Sequence, residues 1–90
     1  LESTTRYLAA ELGKQNIRVN ALSPGAIATR AASGIKDFAT LLEEAAHKSP
    51  LHRGVAIDDV GNLAAFLVSD LAKNITGGVH YIDAGYHMMD

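Results

Sequence analysis

The chain contains no cysteine among its 90 residues, and this absence excludes several kinds of chemistry. Disulfide bonds, thiol nucleophiles and cysteine-ligated metal sites are all ruled out. No apolar run approaches the roughly 18 residues that a membrane-spanning helix needs. A membrane protein and a thiol enzyme are therefore not expected.

The chain also has no excess of positive charge, because it contains 8 Lys and Arg and 10 Asp and Glu, and its net charge is −2. No basic patch interleaved with aromatic residues is present, so nucleic acid is not an expected partner. The four histidines lack the paired, close spacing of metal ligands, and we predict no metal site. The 48% hydrophobic and 20% charged residues are typical of a soluble globular chain, and the length allows one domain at most.

Periodicity predicts helices and strands in alternation. Helical spacing covers residues 1–12, about 35 or 36 to 48, and about 58–71, whereas strand patterns cover 17–22 and 79–83, before a tail at 86–90. The order helix-strand-helix-helix-strand indicates an α/β fold with a parallel sheet. Two strands do not form a stable sheet alone, so we expect both to pair with strands outside these residues.

The sequence also predicts how the first and third helices begin or end. The first pattern begins in mid-period without a cap, which indicates the C-terminal part of a longer polypeptide. Gly13 is expected in a left-handed conformation after the first helix. Ala56 precedes the third helix and cannot cap it with its side chain, so the start should rely on Asp58 and Asp59.

The stretch "SPGAIAT", residues 23–29, follows the first strand and holds small residues. Ligands of open parallel sheets bind where the chain leaves the carboxyl ends of strands. Gly25 allows close approach of the backbone, Thr29 offers a hydroxyl, and the backbone of 26–28 offers amides, a set suited to an amide or a phosphate. A plain turn is equally compatible with these residues.

Three stretches resemble one family. "IRVNALSPGAIAT" resembles the Asn-x-x-x-Pro-Gly-x-x-x-Thr segment of short-chain dehydrogenases/reductases, through Asn20, Pro24, Gly25 and Thr29. "RAASGIKDF" resembles the substrate loop of the enoyl-acyl-carrier-protein reductases of bacterial and plastid type II fatty acid synthesis. "DDVGNLAAFLVSDLAKNITGGVHYIDAGYHMM" resembles the last helix, last strand and tail of that family.

The resemblance implies the C-terminal part of a Rossmann-like, doubly wound parallel sheet. It implies reduction of trans-2-enoyl thioesters on acyl carrier protein by NADH, with NADPH not excluded, in a bacterial cytoplasm or a plastid-type organelle. It implies a homotetramer built through the last helix and strand. The family's catalytic Tyr and Lys would lie upstream, with six residues between them, so no catalytic residue is expected in this chain and the segment alone would be inactive.

The resemblance also assigns roles within residues of about 23–48. The nicotinamide end of the cofactor would be bound by Gly25, Ala26, Ile27 and Thr29. The movable wall over the acyl chain would be formed by Ala31, Ala32, Ile35 and Phe38.

Two departures from the family pattern keep other hypotheses open. Many of these reductases have Ala-Gly-Pro where this chain has Pro24-Gly25-Ala26, which leaves room for a 3-oxoacyl-acyl-carrier-protein reductase or another short-chain dehydrogenase. The last strand often ends Asp-Gly-Gly, here Asp83-Ala84-Gly85. A non-catalytic oligomerisation scaffold is a further alternative. The strongly apolar last helix fits burial against either a second subunit or the rest of the same subunit.

Overall fold

The structure is a computed structural model that describes residues 1–27 and 37–89. Its helices and strands, in chain order, are α1 (Glu2–Leu12), β1 (Ala21–Pro24), α2 (Phe38–Lys48), α3 (Ile57–Leu67) and β2 (Val79–Ile82). Single 3-10 turns occupy Gly13–Gln15, Asp70–Ala72 and Tyr86–Met88. The predicted helix-strand-helix-helix-strand order is confirmed.

The two strands pair with each other in parallel, with Ala21 opposite Val79 and Pro24 opposite Ile82. A parallel neighbour needs a crossover connection, and here α2 and α3 belong to it. Pairing with additional strands outside the chain stays a prediction.

The predicted bounds of the first strand, 17–22, are wrong at both ends. Before Ala21 the backbone bonds to the turn that precedes β2, since Val19 N–H donates to Thr76 Oγ1 at 3.0 Å and Val19 O accepts from Gly77 N–H at 2.7 Å. Beyond residue 22 the ladder continues, because Gly25 N–H donates to Ile82 O at 3.0 Å. The missing N–H of Pro24 therefore removes no bond from this end of the ladder.

The expected left-handed glycine after α1 is also wrong. Gly13 has a φ of −60°, and the left-handed residue is Asn16, with a φ of 62°. The helix tightens into a 3-10 turn in which Asn16 N–H donates to Gly13 O at 2.9 Å, so the reversal comes later. Asparagine tolerates this conformation better than most residues.

Two helix bounds differ from the sequence patterns. The left-handed Asp37, with a φ of 64°, places the start of α2 at Phe38, after the predicted start, and α2 ends at Lys48 as predicted. The predicted end of the third helix at Leu71 is wrong, because α3 ends at Leu67. Ser69 Oγ donates to Phe66 O at 2.6 Å, which satisfies a terminal carbonyl without another helical turn.

The start of α3 confirms the reliance on acidic residues. Asp59 Oδ2 accepts from Ala56 N–H at 2.8 Å, and Asp59 N–H donates to Ala56 O at 3.0 Å. The carboxylate thus supplies half of a capping box, and the alanine side chain supplies nothing.

Burial of apolar side chains is slight in the described residues. The buried apolar residues are Ala9, Ala21, Leu67 and Ala72, and three of these four are alanines. Apolar residues just after α3 are exposed to solvent instead: Val68 is 81% exposed and Leu71 is 84% exposed. Within the described residues, no helix combines the length and the apolar character needed to cross a membrane.

Candidate functional site

A cavity of about 410 Å³ lies at the carboxyl ends of β1 and β2. Its walls come from the segment after β1, from α2, from the loop before α3 and from the end of β2 with the following turn. Among the lining residues are Pro24, Gly25, Ala26, Leu41, Leu42, Ala45, Val55, Tyr81, Asp83, Tyr86 and His87. This is the sheet edge where parallel α/β folds bind ligands, and the volume suits a small-molecule site.

Gly25 permits the closest approach between the two strand ends. A Cβ at this position would lie 3.0 Å from Asp83 Cβ and 3.2 Å from Asp83 Cα. Only a residue without a side chain fits here unless the backbone moves. From the sequence, the glycine at position 25 was expected to let a ligand approach the backbone. The structure shows that it also lets Asp83 of the same chain approach.

The exposed Ala26 lines the cavity, and the half-buried Ile27 follows it in the chain. No described residue accepts a hydrogen bond from either amide. Backbone N–H groups of this kind can donate to a carbonyl oxygen. The assignment of Ala26 and Ile27 to the nicotinamide stays a prediction.

Four of the eight assigned residues lie outside the described part of the chain: Thr29, Ala31, Ala32 and Ile35. Phe38, the remaining substrate-loop residue, is the half-buried first residue of α2. Its neighbours one turn later, Leu41 and Leu42, line the cavity. Sequence reasoning placed both leucines on the apolar stripe of this helix but assigned them no site, although the spacing from Phe38 was the signal.

Asp83 is the main feature of the site that sequence reasoning missed. Its side chain is only 8% exposed and accepts hydrogen bonds from Gly85 N–H at 3.0 Å and His87 N–H at 2.9 Å. The His87 ring nitrogen Nδ1 lies 3.0 Å from Asp83 Oδ2. An acidic residue at a strand end with glycine two residues later was the available signal, because such carboxylates bond the backbone two residues on.

The charge of Asp83 is stabilised by these partners. Burial alone would raise the pKa of this carboxyl, but the hydrogen bonds from the His87 side chain and from the N–H groups of His87 and Gly85 outweigh it, helped by the charge of His87. The pKa of Asp83 consequently lies below its usual value of 3.8. The carboxylate is therefore ionised at neutral pH.

The His87 ring also stacks on Tyr81, with ring centroids 3.8 Å apart and planes inclined by 10°. The ring is thus held by the carboxylate and by an aromatic face. Across residues 1–27 and 37–89, no three side chains of the metal-ligating types come together.

Adjacent parallel strands, helices in their connection and a cavity at their carboxyl ends are the arrangement of a Rossmann-like ligand-binding sheet. The family model described as enoyl-(acyl carrier protein) reductase matches residues 1–87. The chain belongs to this family, as its sequence motifs predicted.

Curated relatives agree with this assignment. The NADH-dependent enoyl-acyl-carrier-protein reductase 1 of Rhizobium meliloti is 53% identical over 87 residues, which are 97% of this chain and 32% of that protein. FabI of Haemophilus influenzae, also named an NADH enoyl-acyl-carrier-protein reductase, is 56% identical over 96% of this chain and 33% of its own length. The chain thus spans about a third of the length of these relatives.

Solved structures confirm the Rossmann-like fold. The Bacillus cereus enoyl-acyl carrier protein reductase with NADP+ and indole naphthyridinone has a TM-score of 0.92 and 44% identity, covering 100% of this chain and 35% of that one. The enzyme of Anaplasma phagocytophilum in complex with NAD has a TM-score of 0.85 and 42% identity, covering 100% of this chain and 32% of its own.

Proposed function

We propose that this chain is the C-terminal segment of an NADH-dependent enoyl-acyl-carrier-protein reductase. The full-length protein would reduce the trans-2 double bond of enoyl thioesters during fatty acid elongation. The observation that carries the proposal is the cavity at the carboxyl ends of the two parallel strands, which Gly25 and Ala26 line. The chain's membership of the family supports the proposal, and so do its relatives, which are named as NADH-dependent enoyl-acyl-carrier-protein reductases.

Within this proposal, the segment of about 23–48 has two parts. Gly25, Ala26, Ile27 and Thr29 would hold the nicotinamide end, which when bound supplies a hydride to the β-carbon of the thioester. The apolar wall over the acyl chain would be formed by Ala31, Ala32, Ile35 and Phe38. The lining of the cavity by Leu41 and Leu42, on the helix that Phe38 begins, supports an apolar substrate there.

Catalysis would need residues that this segment does not supply. The resemblance places the Tyr that stabilises the developing enolate, and the Lys that holds the ribose, upstream of Leu1. The segment would then orient the nicotinamide and cover the acyl chain but would be inactive alone. NADPH is an alternative cofactor, because the residues that select the ribose also lie upstream.

The partner would be an enoyl thioester carried on acyl carrier protein, and the assembly a homotetramer in a bacterial cytoplasm or a plastid-type organelle. The exposure of Val68 and Leu71 after α3 supports an interface there. Light scattering on the full-length protein measures the assembly, and a monomeric mass would contradict the tetramer.

The activity is tested by following NADH oxidation by the full-length protein with a crotonyl thioester and, separately, a 3-oxoacyl thioester. Turnover of the crotonyl thioester is the expected result. Turnover of the 3-oxoacyl thioester alone would identify a ketoacyl reductase instead. Turnover of neither, with no upstream Tyr and Lys separated by either three or six residues, would identify the scaffold.

A further inference from the structure

Asp83 lies against Gly25, the first residue of the backbone that the proposed function assigns to the nicotinamide. Asp83 and Gly25 are in such close contact that a Cβ on the glycine would lie 3.0 Å from Asp83 Cβ. Gly25 N–H also donates to Ile82 O, at the residue before Asp83, at 3.0 Å. A displacement of Asp83 would therefore reach Gly25 through close-packed backbone, which deforms little.

His87 and the turn that carries it hold the Asp83 side chain in one position. The carboxylate accepts from Gly85 N–H on Oδ1 and from His87 N–H on Oδ2, and the His87 ring adds a contact of 3.0 Å from Nδ1. The same ring stacks on Tyr81 at 3.8 Å, and Tyr81 lies opposite Ser23 in the strand register. The stacking thus ties β2 to the turn that holds Asp83, and β1 pairs with β2 at the same position.

The turn itself is anchored from the other side. Leu51 N–H donates to Ala84 O at 3.2 Å, and a Cβ at Gly85 would lie 2.9 Å from Pro50 Cγ. Asp83 therefore lies between the turn at Ala84 and Gly85, which contacts Pro50 and Leu51, and the end of β1. Its buried position and several N–H partners are the arrangement that fixes a side chain in a single rotamer.

We infer that Asp83 and His87 are positioning residues for the nicotinamide-binding segment. They set the place of the backbone from Gly25 to Ile27, and so determine how well the amides of Ala26 and Ile27 meet a carboxamide. Both act through Gly25. The inference rests on the proposed function for its ligand, but the mechanical link between Asp83 and Gly25 does not.

The test uses the full-length protein and three variants. Asp83→Asn keeps the shape of the side chain but removes its charge and places an amide group beside N–H donors. His87→Phe keeps a ring that can stack on Tyr81 and leaves the backbone bonds to Asp83, but removes the Nδ1 contact. Asp70→Asn, at an exposed position after α3, is the matched control.

Two readouts are measured for each variant. Hydrogen–deuterium exchange without cofactor reports on the amides of residues 25–27, and a titration of NADH, with kcat and KM, reports on binding. In Asp83→Asn we expect faster exchange and a rise in the Kd for NADH of at least about fivefold, the lower end of couplings between sites in proteins. The effect of His87→Phe should be smaller, that of Asp70→Asn absent, and kcat should change less than KM.

Unchanged exchange at residues 25–27, or an unchanged Kd for NADH, in a folded Asp83→Asn variant overturns the inference, even if its melting temperature falls. If Asp83→Asn does not fold, His87→Phe decides by the same two readouts. A wild-type protein that does not bind NADH overturns the proposed function before any variant is compared. The exchange arm then still tests whether Asp83 holds Gly25.

Discussion

At the scale of single residues, the turn after β2 contains an unfavourable backbone conformation. Ala84 has a φ of 56°, in the left-handed region, and is followed by Gly85 with a φ of 90°. A Cβ in this region contacts its own backbone unfavourably, and glycine avoids the contact. The Ala84 of this chain stands where the family often has glycine.

Ala84→Gly is therefore expected to stabilise the full-length protein, by about 0.5–1 kcal/mol once the greater freedom of glycine in the unfolded chain is included. Denaturant unfolding measures the change. The matched control is Ala65→Gly, at an exposed position in the last turn of α3, which should destabilise by up to about 1 kcal/mol. Destabilisation by both substitutions would show that the conformation of Ala84 carries no strain.

Asp83 predicts a pH dependence of stability. Because its pKa is lower in the folded chain than its usual 3.8, its contribution is present above that value and is lost as pH falls through the folded pKa. Asp83→Asn should cost about 1–3 kcal/mol in the free energy of unfolding near pH 7. Below pH 4 the difference from the wild type should shrink.

Urea unfolding from pH 7 down to the acid limit of reversibility measures this difference. Asp70→Asn provides the comparison, because it makes the same substitution at an exposed position. A constant difference between wild type and Asp83→Asn across the range would contradict the origin assigned to the effect.

At the scale of elements, the Arg18 side chain bonds to carbonyl groups at the C-terminal end of α3, about 50 residues later in the chain. Its guanidinium donates to Leu67 O at 2.5 Å, to Ser69 O at 3.4 Å and to Ile75 O at 3.5 Å. The carbonyls at a helix end lack helical partners and carry partial negative charge, which a cation complements. The contact also ties the segment before β1 to the turn before β2.

Arg18→Met should lower the free energy of unfolding by about 1.5–3 kcal/mol, since bonds from a charged donor to partly buried carbonyls are lost. Arg18→Lys should recover only part of this, because lysine lacks the planar fork of donors. Arg6→Met is the control, because Arg6 makes an exposed pair with Glu2 at 4.0 Å that should contribute less than about 1 kcal/mol. Equal effects of Arg18→Met and Arg6→Met would contradict this role.

At the scale of the whole molecule, the chain is more open than a compact domain of its size. Its radius of gyration is 15.3 Å, against about 12 Å expected for 90 residues. Its accessible surface is 6561 Å², against about 5000 Å² for a compact monomer of 9.5 kDa. Exposed apolar residues such as Val68 and Leu71 account for part of the excess.

Residues 1–90 expressed alone should therefore lack a cooperative thermal transition, whereas the full-length protein should show one. Too little apolar surface is buried here to offset the entropy of ordering the chain. Circular dichroism followed on heating measures both. A sharp transition in the isolated segment would contradict the prediction.

Sequence patterns predicted the order of elements because apolar periodicity reflects local backbone geometry. Element ends were less predictable, since they depend on distant groups. The first strand begins at Ala21 because Val19 bonds to Thr76, and α3 ends at Leu67 beside the guanidinium of Arg18. The cavity shows the same division: sequence motifs pointed to Gly25 and Ala26, which line it, but not to Asp83 and His87, which also line it.

The sequence by itself determined the family, the α/β class and the glycine-containing segment, because each depends on residue types at fixed spacing. Only the tertiary structure decided that Gly25 lies against Asp83, that His87 closes on this carboxylate, and that Leu41 and Leu42 face the same cavity. The contact between Gly25 and Asp83 joins residues far apart in the chain, and the cavity brings α2 to the same strand ends. Their distances follow from how the strands pair and the helices pack, and no local pattern encodes them.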